Sequence, residues 1–333
     1  MRIELSYPLL LAALGLVTAV LFVVSLVTGP AGIAFFESLE ALVTGRSGAA
    51  SIVMQEIRLP RAILGAIIGA SLGLSGAALQ GYLRNPLAEP GLLGISASAS
   101  LGSVIAIYTG LSAAFTLALP LMALTGAVGA VLLVRLLAGA GAQTITLILA
   151  GVAVTSFAGA MTSLALNLSP NPFAALEIVF WMLGSLKDRS MTHVWLALPF
   201  ILIGWAMLFQ VGRALDALTL GEAAAATLGF RLERVQALVV FGTAACVGAA
   251  TSVAGAIGFI GLVVPHLLRP LVGAEPGRLL AASALGGAAV LLAADIAVRI
   301  IAPERDLKLG VLTALIGAPF FLWLIFKQQR GGQ

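Results

Sequence analysis

Ten stretches of this sequence are long and apolar enough to cross about 30 Å of hydrocarbon. That repetition constrains the fold more than any single motif. The stretches lie near 8–28, 62–82, 91–109, 113–137, 143–167, 194–212, 235–256, 258–273, 279–301 and 309–326. Of the 333 residues, 60% are apolar and 10% charged, whereas soluble domains carry about 25% charged residues. The sequence therefore reads as one all-α, polytopic membrane domain over 1–333. The runs 91–109 and 258–273 are short or glycine-rich and read as partly broken. Segment 172–186 is apolar but too short to span, and is expected at the surface or dipping in. Residues 8–28 are too long for a signal peptide, lack a small-residue cleavage site, and read as a retained first helix.

Residues 58–100 carry the most local detail. Arg58 and Arg61 bracket Pro60, a Gly/Ala/Ser-rich helix runs to about Gln80, and a polar hairpin from Asn85 to Gly91 leads into the next apolar run. Gly65, Gly69 and Gly73 fall four apart, so one helix face admits another backbone closely. Net charge is +4. The 18 basic residues are scattered over short loops, which fits topology signals better than a nucleic-acid surface. With a cytoplasmic N-terminus, Arg2, Arg84, Arg135, Arg213, Arg231, Arg234, Arg269, Arg278, Lys327 and Arg330 lie inside. Arg46, Arg58, Arg61, Lys187, Arg189, Arg299, Arg305 and Lys308 lie outside. This bias favours both termini in the cytoplasm.

The loop 213–234, RALDALTLGEAAAATLGFRLER, is the most unusual. Thr219 followed by Glu222 resembles a capping box for a short helix over 220–228, closed by Gly229. Such an elbow suits docking to a soluble partner. An interfacial helix with no partner is the alternative. No phosphate-binding loop occurs, and the three lysines are Lys187, Lys308 and Lys327. Neither metal-assisted nor serine hydrolysis finds support, so no catalytic residue, metal site or bound cofactor is expected. His193 and His266 read as interface markers, His266 in a turn beside Pro265, and Cys246 as a small buried hydrophobe. Asp295 is an ionisable group inside an apolar run, with Arg299 one turn later. A structural ion pair is favoured over a proton carrier because the counter-ion shares its face. A polytopic chain without ion-coupling groups must receive energy elsewhere or conduct passively, and the elbow is the natural place to receive it. An ion-coupled secondary transporter remains the reading from another class.

Several motifs occur together: RLPR at 58–61, GASLGLSGAALQGYLRNPLAEPGLLGIS at 69–96, LAGVA at 149–153, FWMLGSL at 180–186, LTLGEAAAATLG at 218–229, GFIGLVVPHLLR at 258–269, ADIAVR at 294–299 and LKLGVLTALIGAPFFLWL at 307–324. In this order they resemble the permease subunits of bacterial type II ABC importers, the FecCD/BtuC-like family, which move iron–siderophores, cobalamin or haem. The resemblance implies ten helices with an inverted repeat, multi-pass in the inner membrane. It implies a homodimer working with two cytoplasmic ATPases, which use ATP and Mg, and with a periplasmic substrate-binding protein. The elbow at about 215–229 then corresponds to coupling helices, with Gly221, Glu222 and Leu228 as ATPase contacts. Arg58, Arg61 and Arg299 correspond to the basic residues that receive the binding protein. Headgroup anchoring, or pairing of Arg299 with Asp295, is the alternative. Asn85, Leu87, Thr144 and Ile145 correspond to a cytoplasmic gate, although Ile145 is more apolar than the family pattern. Thr155, Ser156, Gly159, Thr162 and Ser163 correspond to the pathway lining, with ordinary helix packing as the alternative for each. The expected cargo is a bulky iron chelate, with cobalamin or haem as alternatives.

Overall fold

The computed structural model describes residues 6–29, 48–115, 117–139, 144–169, 171–302 and 306–331. Arg2, Arg46 and Arg305, which entered the charge reading, lie outside them, as do the side chains of Lys327 and Arg330. The described residues form an all-helical bundle. Its elements are α1 (Tyr7–Val27), α2 (Ala49–Tyr82), α3 (Ile95–Tyr108), α4 (Ala118–Ala138), α5 (Thr144–Asn167), α6 (Pro172–Met182) and α7 (Met191–Phe209). The chain continues through α8 (Gly212–Leu218), α9 (Glu222–Thr227), α10 (Leu232–Ala254), α11 (Ile260–Leu268), α12 (Pro276–Ile301) and α13 (Leu309–Gly331). Every one of the ten apolar runs is helical over most of its length. Seven of these helices are long and apolar enough to cross a membrane: α1, α2, α4, α5, α7, α10 and α12. Length alone therefore does not yield ten crossings. The segment read as too short to span is α6, with 11 residues.

Helix α2 begins well before the expected position near 62 and passes through Pro60. Proline has no amide hydrogen and crowds the preceding turn. The turn Val53–Arg58 is accordingly π-helical, and the Leu59 amide reaches back five residues to the Met54 carbonyl. Such single π turns absorb an irregularity without ending the helix.

Helix α2 is the mast of the bundle. A Cβ added at Gly69 would strike the backbone of Gly287, one at Gly73 the Ser283 carbonyl, and one at Gly76 the backbone of Gly261. Glycine spacing therefore seats α2 directly on α12 and α11. The same device joins α3 to α4, where Gly102 meets Met122 and Gly126 meets Ser98. Gly204 of α7 meets Cys246 of α10, and Cys246 is buried as expected. Lipid tails are as apolar as leucine, so close backbone contact is what holds such helices together.

The broken runs have definite geometry. The first enters as a single 3-10 turn, Pro90–Leu93, and Gly94 at φ 70° hands over to α3. The second breaks after α10. Gly255 takes φ 73°, residues 255–259 are not helical, and Phe259 at φ 68° opens the nine-residue α11. Positive φ is rare for a bulky residue, so Phe259 is held in place by its surroundings.

Two substitutions separate packing from open space on these helices. Gly73→Leu is expected to unseat α2 from α12 and to abolish the monodisperse peak in detergent size-exclusion chromatography. Gly159 has nothing within 4 Å of its would-be Cβ, so Gly159→Ala is expected to keep the wild-type elution and melting transition.

Candidate functional site

The two ends of the bundle are chemically distinct. At one end Tyr7 opens α1 and donates its hydroxyl to the Arg278 carbonyl at the start of α12, and the elbow lies beside them. The elbow is two short helices, not one. Buried Ala214, Leu215, Ala217 and Leu218 anchor α8, and the Asp216 carboxylate accepts the Gly277 amide at 2.7 Å, fixing α8 to the first turn of α12. Gly221 at φ 103° turns the chain into α9. The expected Thr219–Glu222 capping box does not form. The Thr219 hydroxyl instead donates to the Asp216 carbonyl, and Glu222 pairs with Arg84 at 3.2 Å on the surface. Gly229 closes α9 as expected, at φ 88°, with the Phe230 amide on the Ala225 carbonyl. Leu220 and Leu228 stand exposed on the elbow.

Asn85, Leu87, Thr144 and Ile145 also lie at the elbow end. The Asn85 side chain accepts the Leu87 amide, which folds the loop after α2 into a tight turn. This loop is bound to α11 by a polar hub that sequence reasoning missed. The buried Gln80 amide donates to the carbonyls of Ala88, Gly261 and Leu262. Its oxygen accepts from Arg269. The Glu89 carboxylate accepts the Phe259 amide at 2.9 Å, at the N-terminus of α11. A lone glutamine within an apolar helix was the available signal.

Along α5 the side chains split by face. Ile145, Leu149 and Val152 are exposed at 68%, 63% and 46%, and the same stripe continues through Ser156, Gly159 and Ser163. The spacing of 4, 3, 4, 3 and 4 is a heptad seam with no partner among the described residues. Thr155 and Thr162 lie off it. Thr155 donates to the Gly151 carbonyl, and Thr162 is buried. Near the far end of α5, the extended strand of chain through Ala256, residues Met182 and Leu183, and the face of α13 from Gly310 to Pro319 line a cleft of about 500 Å³.

The opposite end carries Arg58, Arg61 and Arg299. None of the three is a free surface charge. Arg61 meets the Asp295 carboxylate through two nitrogens at 2.8–3.1 Å. Arg299 meets the same carboxylate at 2.7 Å and also donates to the Ser25 and Thr28 carbonyls. Arg58 is 4% exposed and donates to the Leu26 and Val27 carbonyls. The two arginines around Pro60 thus serve different partners: Arg58, the last residue of the π turn, reaches α1, and Arg61, three residues on, reaches α12. Asp295, 1% exposed, is a structural carboxylate shared by two guanidiniums.

Gly69-Ala70-Ser71-Leu72-Gly73 has the spacing of a nucleophile elbow. It lies inside α2, where the buried Ser71 hydroxyl donates to the Ile67 carbonyl and accepts from Trp205. This is a helix-packing serine. His193 completes a capping box with Ser190 at the start of α7, and the His266 ring packs edge-on to Phe320.

A glycine-seated helical bundle with a helical elbow at one end, a cationic cluster at the other and a cleft between is the architecture of a membrane permease. The model of the FecCD transport family matches residues 17–327, and the chain belongs to that family, the permease subunits of type II ABC importers. It is 42% identical to the cobalamin import system permease protein BtuC of Halobacterium salinarum, over 83% of this chain and 74% of that protein. It is 38% identical to the Fe(3+) dicitrate transport system permease protein FecD of Escherichia coli, over 83% of this chain and 86% of that one. Among solved structures, an inward-facing metal-chelate type ABC transporter superposes with a TM-score of 0.85 at 31% identity, covering 96% of this chain and 99% of that one.

The Asp295 cluster sets a stability prediction. Asp295→Asn leaves two buried guanidiniums without their counter-ion and is expected to cost about 3–5 kcal/mol, read by unfolding in detergent. Arg61→Gln keeps Arg299 on Asp295 and is expected to cost less.

Proposed function

We propose that this chain is the transmembrane pathway of an ATP-driven importer that moves a bulky iron chelate from periplasm to cytoplasm. It works as a homodimer in the inner membrane. The observation that carries this reading is the unpartnered seam of α5, apolar toward the elbow end and small or polar toward the cleft. Two copies meeting along Ile145, Leu149 and Val152 close a gate with Asn85, Leu87 and Thr144 at its mouth. Beyond the gate, Ser156, Gly159 and Ser163 face a wide, weakly binding lumen. Thr155 and Thr162 support that wall from behind.

The elbow is the receiving surface for two ATPase subunits, which bind ATP and Mg. Exposed Leu220, Leu228 and Glu222 supply the contact, Gly221 the turn, and the Asp216–Gly277 bond passes displacement to α12. The elbow end is then cytoplasmic, with both chain termini. The arginine end faces the periplasmic binding protein. Three guanidiniums against one carboxylate leave two net positive charges per subunit there. Arg61, which keeps one nitrogen off Asp295, is the group nearest to a partner's carboxylate, while Arg58 and Arg299 hold the site in shape. Ion coupling is disfavoured because the buried Asp295 is held by two arginines.

Cobalamin is the second reading of the cargo, favoured by the identity to the Halobacterium salinarum permease. Mass spectrometry of the small molecule retained by the cognate binding protein decides between them. An iron-free corrinoid would overturn the chelate.

Two measurements test the machinery. Glu222→Arg is expected to leave folding intact, since an exposed ion pair contributes about 0.2–1 kcal/mol, and to abolish ATP-driven uptake in proteoliposomes. Uptake at wild-type rate would sink the coupling assignment. Asn85→Cys and Leu149→Cys are each expected to cross-link between subunits in at least one nucleotide state, because a disulfide needs Cα atoms within about 7 Å. Native Cys246 is fully buried and stays silent. No cross-link in any state would remove the axial gate.

A further inference from the structure

Helices α4 and α7 part over α10 and leave a half-open groove of about 360 Å³. Val128, Leu132, Ile203, Met207, Phe241 and Ala244 are among its lining residues, and its wall is almost wholly apolar. The groove follows α4 from Leu124 to Leu132, eight residues and therefore about 12 Å along the helix. One turn further toward the elbow end, on the face of Val128 and Leu132, stands Arg135. Its guanidinium carbon lies 5.7 Å from the centre of the Phe241 ring, so the cation caps the groove's own wall. Its Nη1 is buried and finds no hydrogen-bond partner among the described residues. The residue as a whole is only half-buried, so the outward side of the same guanidinium is open to an acceptor from outside the chain.

We propose that this groove is a specific site for one anionic phospholipid of the elbow-side leaflet. One acyl chain lies between α4 and α7, and the lipid phosphate accepts from Arg135. Three features favour a lipid over a second polypeptide. The groove is apolar along its length and carries its charge at one end, which is the layout of an acyl chain and headgroup. Arg135 sits in the last turn of α4, at the depth where a long cationic side chain reaches the headgroup layer. The planar fork also matches a phosphate better than any group of an apolar helix. The site does not depend on the import reading, because it requires only that the chain span a bilayer.

The test uses the full chain, washed free of native lipid in detergent. It is then supplied with dioleoyl phosphatidylglycerol or dioleoyl phosphatidylcholine, and retained lipid is counted by native mass spectrometry. Wild type is expected to keep one phosphatidylglycerol in preference to phosphatidylcholine. Arg135→Gln is expected to lose about tenfold of that preference, the equivalent of one charge-assisted hydrogen bond. Ala244→Phe, which fills the groove, is expected to lose the lipid of either headgroup. Glycerophosphoglycerol at the same concentration is expected not to displace it, which separates a lipid site from a free-phosphate site. A phosphatidylglycerol carrying a photoreactive acyl chain is expected to label peptides containing Val128, Ile203 or Met207, and this readout stands if Ala244→Phe fails to fold. Equal retention of both lipids by wild type would overturn the proposal. So would unchanged preference in Arg135→Gln, labelling elsewhere, or a co-purifying protein that occupies the groove.

Discussion

Backbone-to-backbone contact along α2 is the constraint on which the rest depends. In water, burial of leucine and valine would drive helices together, but in lipid that driving force is absent between helices. Here Gly69, Gly73 and Gly76 bring α2 onto Gly287, Ser283 and Gly261. At this range many weak dispersion contacts add up. With α2 set, the positions of Gln80 at one end and Arg61 at the other follow, and with them both polar clusters.

Those clusters fix the two ends by different chemistry. At the arginine end, Asp295 holds two guanidiniums that approach from α2 and α12, and Arg299 and Arg58 reach across to the last turn of α1. At the elbow end no acid meets Arg269 in the hub. The Gln80 oxygen accepts from it, while the Gln80 nitrogen ties the loop after α2 to α11. Charge pairing makes the first cluster rigid. The second joins three neutral bonds from Gln80 to carbonyls with single bonds to Arg269 and Glu89, and no ion pair closes it among the described residues.

Much of this was legible from hydropathy and small-residue spacing. The ten apolar runs are helices, the two glycine-rich ones are broken, and the Gly65–Gly69–Gly73 stripe meets another helix. These features depend on local composition. What stayed hidden depends on contacts far apart in sequence. Helix α2 starts at Ala49 because a π turn absorbs Pro60, which no periodicity signals. Asp295 and Arg299 announce their pairing by spacing, but Arg61 joins them across 234 residues. Thr219 and Glu222 have capping-box spacing, yet Gly221 takes the cap position and leaves Glu222 to Arg84. The α5 seam was half visible. Ser156, Gly159 and Ser163 face outward, whereas Thr155 and Thr162, of the same residue class, do not, because only the fold sets the angular origin of the helix.

The unwound segment at 255–259 has an electrical consequence. Bare backbone at membrane depth is tolerated only where protein or water satisfies it, and this stretch lies beside the open cleft with Ala256 on its wall. On the proposed import reading, with the arginine end outward and two copies enclosing a watery lumen, the mouth of that cleft becomes part of the outer solution. The insulating layer beneath is then only as thick as the remaining inner part. The membrane voltage, which is worth about 2.3 kcal/mol per charge at 100 mV, falls across that shorter distance instead of the full width. A charged solute at the cleft floor has crossed much of the geometry but little of the field. Its remaining electrical work is concentrated in the layer spanned by the Gln80 hub and the apolar half of the α5 seam.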